Sequence, residues 1–196
     1  MLMDETPIKL SVRKAGKDDF ALIVDYFLGA DAKFLENMGA DITKLPKREE
    51  WLTLIEKELD KKVEQQSFFY LIWLANKNPV GHSNINKIVF GEEAFMHLHI
   101  WSDDTRRKGI GLQLAKQSIP HYFTIFNLKN LYCEPYANNQ APNKVLLKAG
   151  FDFVKKYETI PGWINFLQEV NQWCMSDEKF RSIYSRPGYN HQSRDP

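Results

Sequence analysis

Residues 96–114 read MHLHIWSDDTRRKGIGLQL, and a change of period inside them decides how the rest of the chain is read. Met96, Leu98 and Ile100 alternate with His97, His99 and Trp101, the two-residue period of a strand with two different faces. A polar turn at 102–105 is followed by Arg106, Arg107, Lys108, Gly109, Ile110 and Gly111. From Ile110 onward the apolar residues Leu114, Ala115 and Ile119 recur at helical spacing. A strand therefore feeds a glycine-containing turn that opens a helix. Several backbone N–H groups at a helix N-terminus lack intrahelical partners, and the dipole adds partial positive charge, so an anion is favoured there. Glycine removes the side chains that would keep a phosphate from those amides. The pattern is neither a Walker A loop nor the Rossmann G-x-G-x-x-G. A tight turn with solvated charges fits it equally well, so the surrounding chain has to decide.

The 196 residues suit one domain with a substantial core. Lys and Arg number 26 against 25 Asp and Glu, a net charge of +1, and the basic residues cluster only at 106–108. That balance argues against nucleic acid or an anionic membrane as a partner. Cys133 and Cys174 lie far apart without C-x-x-C or Cys/His metal spacing, which favours reduced thiols and no metal. The opening MLMDETPIKL has no basic-then-apolar leader pattern, and no apolar run approaches the roughly 20 residues that span a bilayer, so a cytoplasmic location is expected.

Outward from the central stretch, residues 68–74, 80–90 and 94–101 read as a three-stranded antiparallel meander, its first turn marked by Asn76-Lys77-Asn78-Pro79. Before it come a strand at 8–13, a helix at 20–28 ending at Gly29, a less regular stretch at 30–46 that forms a loop or short helix lying over a pocket, and an amphipathic helix at 48–59. After it, the helix at 110–126 contains Pro120, which predicts a kink or break. A short strand at 130–136 leads to a helix start at Asn138-Asn139-Gln140-Ala141-Pro142, with an Asn cap, and the helix stops at Gly150. Strands follow at 151–159 and 163–175, the last without a clean period. Residues 1–175 read as the domain and 176–196 as a polar tail, extended or frayed, whose Phe180, Ile183 and Tyr184 dock on the body or on a partner. The order gives an α/β (α+β) domain with a mixed, largely antiparallel sheet flanked by helices.

Two motifs at matched spacing resemble the GNAT superfamily of N-acetyltransferases. Arg106 to Gly111 is similar to that family's Q/R-x-x-G-x-G/A pyrophosphate loop. NQAPNKVLLKAGF at 139–151 resembles its N-x-A-S-x-x-V-L-x-K-x-G-F segment. The resemblance implies acetyl-CoA as donor and a primary amine, of a small molecule or a protein, as acceptor by direct attack on the thioester. It implies that Arg106, Arg107, Lys108, Gly109, Ile110, Gly111 and Leu112 hold the phosphates. The pantetheine arm would lie along His99, Ile100 and Trp101, and Asn139 would contact it.

A lysine-like ammonium titrates near ~10.4, so something must take a proton. Glu134 matches the position of the base in the alanine N-acetyltransferase acting on ribosomal protein. His97 and His99 are rivals, since some arylalkylamine acetyltransferases relay protons through strand histidines, and histidine titrates near ~6.5. The plainer alternatives are a solvated glutamate and packed strand histidines. The chain departs from the family at Leu146, where many relatives carry a tyrosine that protonates the thiolate, and at Pro142, where serine is frequent. Tyr132 and Tyr136 are substitutes for that acid. A CoA-binding sensor or interaction module of the same fold is the competing function. The acceptor's identity, a homodimer and the tail's role stay open, and residues 30–46 with the Trp163 turn are expected to shape the acceptor pocket.

Overall fold

The computed structural model describes residues 8–101 and 109–184. One seven-stranded sheet runs through it in the order β1-β2-β3-β4-β5-β7-β6. The strands are β1 (Leu10–Lys14), β2 (Phe68–Ala75), β3 (Asn78–Val89), β4 (Glu93–Ile100), β5 (Asn130–Cys133), β6 (Asp152–Thr159) and β7 (Gln168–Ser176). Among the described strands only β4 and β5 pair in parallel. The helices are α1 (Lys17–Leu28), α2 (Ala32–Asn37), α3 (Arg48–Leu59), α4 (Ile110–Phe126), α5 (Gln140–Ala149) and α6 (Asp177–Tyr184). This is the mixed, largely antiparallel sheet flanked by helices that the sequence implied. No described helix is long and apolar enough to cross a membrane.

Alternation along the strands sorts the core into two layers. Leu71 and Trp73 of β2, Ile85 of β3, Met96 of β4 and Leu131 of β5 pack against Leu114, Ile119, Tyr122 and Phe126 of α4 and Leu146 of α5. On the other face Ile72 meets Phe20, Ile23, Val24 and Phe27 of α1 and Trp51 and Ile55 of α3. The β2–β3 turn carries Asn76 and Lys77 at φ 49° and 69°, the positive values a two-residue hairpin turn requires.

Three expectations are corrected. Of the kink or break expected at Pro120, the break does not occur: α4 runs from Ile110 to Phe126, and although the proline deletes one intrahelical bond, Ser118, Ile119, Pro120, Tyr122 and Phe123 are all buried, and that packing holds the helix across the gap. The last strand starts at Gln168 rather than 163, because residues before it are drawn into a loop where Asn165 and Ala40 form an isolated bridge. That loop explains the missing period. The first part of the tail is neither extended nor frayed. It is α6, with Phe180 stacked on Phe123 at 4.3 Å and the Tyr184 hydroxyl donating to the Ala149 carbonyl at 2.9 Å. The stretch at 30–46 takes the short-helix alternative, as α2 followed by a single 3-10 turn at Ile42–Lys44.

Candidate active site

The site begins where two strands part. β4 and β5 pair over Glu93–Phe95 and Asn130–Tyr132 and then separate, leaving a V whose arms continue through Met96–Ile100 and Cys133–Glu134. At the base of the V the Cys133 thiol donates to the Met96 carbonyl at 2.8 Å, and Phe95 stacks on Tyr132 at 5.2 Å. Cys133 is buried, which pushes its thiol far up, and neither cysteine is in a disulfide.

α4 starts beside one arm. Gly109 caps it at φ 73°, a left-handed value that favours glycine, and a Cβ there would meet nothing within 4 Å. Gly111 answers a different need: its Cβ would stand 3.1 Å from Cδ1 of Ile100, so its absence lets the helix approach β4 closely. The first amides of α4 have no side-chain cap. Ile110 is buried in the core and Leu112 packs on its margin, so among these positions main chain rather than side chain is offered to a ligand. Arg106, Arg107 and Lys108 lie outside the described residues.

On the opposite arm, Glu134 is 7% exposed. Its Oε1 accepts from the Tyr157 hydroxyl and from Nε2 of Gln172 at 2.8 Å, while Oε2 has no hydrogen-bond partner among the described residues. Tyr157 is pushed up to about 12, first by burial and then by the adjacent carboxylate, so it serves as a donor at neutral pH. Asn139 is the N-cap residue of α5, yet its side chain makes no cap bond. Its carbonyl accepts from Nδ2 of Asn143 at 2.7 Å, and Oδ1 of Asn143 accepts from Asn171 at 2.9 Å and from the Trp173 indole at 2.8 Å. Asn143 thus ties the start of α5 to β7. Leu146, where a tyrosine would supply a proton, is fully buried in the core.

The histidines occupy the face of β4 turned toward α1. His97 is pushed down to about 4, first by burial and then by the positive charge of Lys87. His99 stacks on His82 at 4.6 Å with 19° between the rings and meets Phe27 edge-on at 5.1 Å. Trp101 gives its indole N–H to Nδ1 of His82 at 2.8 Å. Glu134 and the two β4 histidines therefore come from opposite arms of the same V. Sequence reading missed Tyr157, Gln172, Asn143 and His82. Each acts through a cross-strand or helix–strand partner, for which local sequence carries no signal.

Residues 9–152 match the model of the acetyltransferase (GNAT) domain, nearly three quarters of the chain, and the protein belongs to that family. Solved structures share the fold. A ribosomal L7/L12 alpha-N-protein acetyltransferase in complex with coenzyme A aligns with a TM-score of 0.68 at 16% identity, over 87% of this chain and 96% of that one. A spermidine N-acetyltransferase from Vibrio cholerae in complex with CoA and spermine aligns at 0.71 and 16%, over 87% and 97%. The aminoglycoside acetyltransferase AAC(6')-Ib, in complex with coenzyme A, aligns at 0.67 and 13%, over 89% and 99%. No curated protein sequence matches the chain.

Proposed function

We propose that the protein is an N-acetyltransferase that moves the acetyl group of acetyl-CoA onto a primary amine by direct attack on the thioester. The observation that carries this reading is the V between β4 and β5, opening beside a helix start with bare space in front of Gly109. These features fit a CoA ligand. Amides of Gly109, Ile110, Gly111 and Leu112 would face its pyrophosphate, the edge at His99, Ile100 and Trp101 its pantetheine arm, and the uncommitted Asn139 side chain the same arm further on. Bound there, acetyl-CoA supplies the activated acyl group.

What the chain itself contributes is alignment and a proton acceptor. Glu134 is the base we favour. Its Oε2 is uncommitted, and its negative charge attracts an ammonium, whereas Lys87 beside His97 repels one. Leu146 carries no hydroxyl, so the departing thiolate is protonated by water or by a tyrosine, Tyr132 or Tyr136. A second reading, a CoA-binding sensor, draws on the same leucine.

Thermal melting with acetyl-CoA, followed by thiol release over a panel of primary amines, tests the proposal. Saturation at about 100 times Kd should stabilise the protein by about 2.7 kcal/mol, and Gly109→Asp, which sets a carboxylate where phosphate should lie, should remove the shift. Stabilisation without amine-dependent thiol release supports the sensor. No shift in the wild type overturns both.

A further inference from the structure

Beyond Phe95 the strand β4 has parted from β5, so the segment expected to carry the acetyl donor is gripped by sheet on its β3 side. That grip is specialised. Gly81 of β3 sits opposite Ile100, and a Cβ on it would stand 2.3 Å from the His99 carbonyl oxygen, so the two backbones approach more closely than any other residue allows. Just past the strand, Trp101 is bonded to β3 twice. Its main-chain N–H donates to the Val80 carbonyl at 2.9 Å, and its indole N–H donates to Nδ1 of His82 at 2.8 Å. In the sequence Trp101 is followed within seven residues by Arg106, Arg107 and Lys108.

We infer that His82 is a positioning residue for the acetyl donor: by accepting the Trp101 indole it locks the part of β4 beyond Phe95 in one register. The inference rests on the N-acetyltransferase reading above. His82 is fully buried, enclosed by Tyr26 and Phe27 of α1, Tyr70 of β2, and His99 and Trp101. The titratable neighbours facing it are Tyr26, Tyr70, His97 and His99. Burial first, then the nearby His99 and His97, hold its pKa well below the usual histidine value, so Nδ1 keeps the lone pair the indole needs. With Nδ1 accepting, the ring proton of neutral His82 is on Nε2, which has no partner among the described residues. A buried imidazole with one nitrogen unsatisfied is costly for stability alone. A positional task accounts for its presence.

Four variants test this: Trp101→Phe, His82→Leu, His82→Asn, and the double variant Trp101→Phe/His82→Leu. Asparagine places Oδ1 where Nδ1 stands and so keeps an acceptor. For Trp101→Phe and for His82→Leu, the KM for acetyl-CoA and the Kd for CoA should rise about tenfold, the size of one lost buried hydrogen bond, with a smaller change in kcat. His82→Asn should stay within about threefold of wild type by the same measure. The double variant should be no worse than either single one. In the ligand-free protein, the Trp101 amide should exchange hydrogen faster in His82→Leu than in wild type. Unchanged KM and Kd with only a lowered melting temperature, or additive losses in the double variant, overturn the clamp while leaving the acetyltransferase reading intact. No acetyl-CoA stabilisation of the wild type overturns that reading, and the clamp's purpose with it.

Discussion

Asp19 sits in the first turn of α1, where its Oδ2 accepts from the Gly16 amide at 2.8 Å and from Nη1 of Arg13 at 2.6 Å, and its Oδ1 from Nη2 at 2.8 Å. Burial alone would raise its pKa. The Arg13 hydrogen bonds, the Gly16 N–H and the Arg13 charge outweigh burial and hold it below the usual aspartate value. A carboxylate depressed on folding stabilises fully above its unfolded pKa of about 3.9 and loses that contribution as pH falls through the folded value. Asp19→Asn should therefore cost about 1–2 kcal/mol at pH 7, a charge-assisted pair discounted because Arg13 is half exposed. Urea melts should show the gap closing as the pH falls below the ordinary aspartate value of about 3.9 and through the lower folded one; a gap that persists once the carboxyl is protonated would mean the loss is packing. Glu134 is the contrasting residue: its position came from a motif, while its two donors, Tyr157 and Gln172, stand 23 and 38 residues away and belong to strands whose pairing no local pattern states.

Elements with one internal period were legible, and elements defined by distant partners were not. The alternation of 96–101 and the helical spacing after Ile110 gave β4 and α4, and Asn76-Lys77 gave the hairpin. Residues 30–46 and 160–167 showed no period because they are organised by each other. Ala40 bridges Asn165, the Asp41 amide donates to the Ile164 carbonyl at 2.7 Å, and Asn165 and Gln168 both donate to the Gly39 carbonyl at 2.8 Å. This arch brings two stretches expected to shape the acceptor pocket into direct contact. Its keystone is Gly39, at φ 80° with a would-be Cβ 2.0 Å from Oε1 of Gln168. Gly39→Ala should cost about 2 kcal/mol or more, combining left-handed strain with overpacking. Gly91→Ala is the control: φ is 79° but nothing lies within 4 Å of its Cβ, so only strain of about 1 kcal/mol applies. Equal losses in the two variants, measured by urea melts, would show that the arch tolerates a wedge.

At the scale of the molecule, the open V costs the sheet several pairings at its centre, and the layers on either side must hold the two halves together. On one face that layer is α4 with α5, and its outer end is closed by α6, which lies beyond the residues matched by the family model. Sequence reading saw this segment as a polar tail because its few apolar residues are spaced for one narrow stripe: Phe180 stacks on Phe123 of α4 and on Tyr184, and Ile183 approaches Gly150, where a Cβ would meet it at 2.6 Å. Tyr184 is 2% exposed and bonds the last turn of α5 through the Ala149 carbonyl. α6 is thus a structural member of the domain, joining the C-terminal half of the sheet to α4, the helix whose N-terminus is proposed above to face the donor's pyrophosphate. Tyr184→Ala should cost about 3–5 kcal/mol, as for other large aromatic side chains removed from a core. Tyr184→Phe, which keeps the ring and loses one hydrogen bond, should cost about 1 kcal/mol. Urea midpoints at constant m-value measure both. If α6 were only an appended arm, the alanine variant would melt with the wild type; if it locks α4 against α5, the loss in Tyr184→Ala will also weaken CoA binding by loosening the helix that presents Gly109 and Gly111.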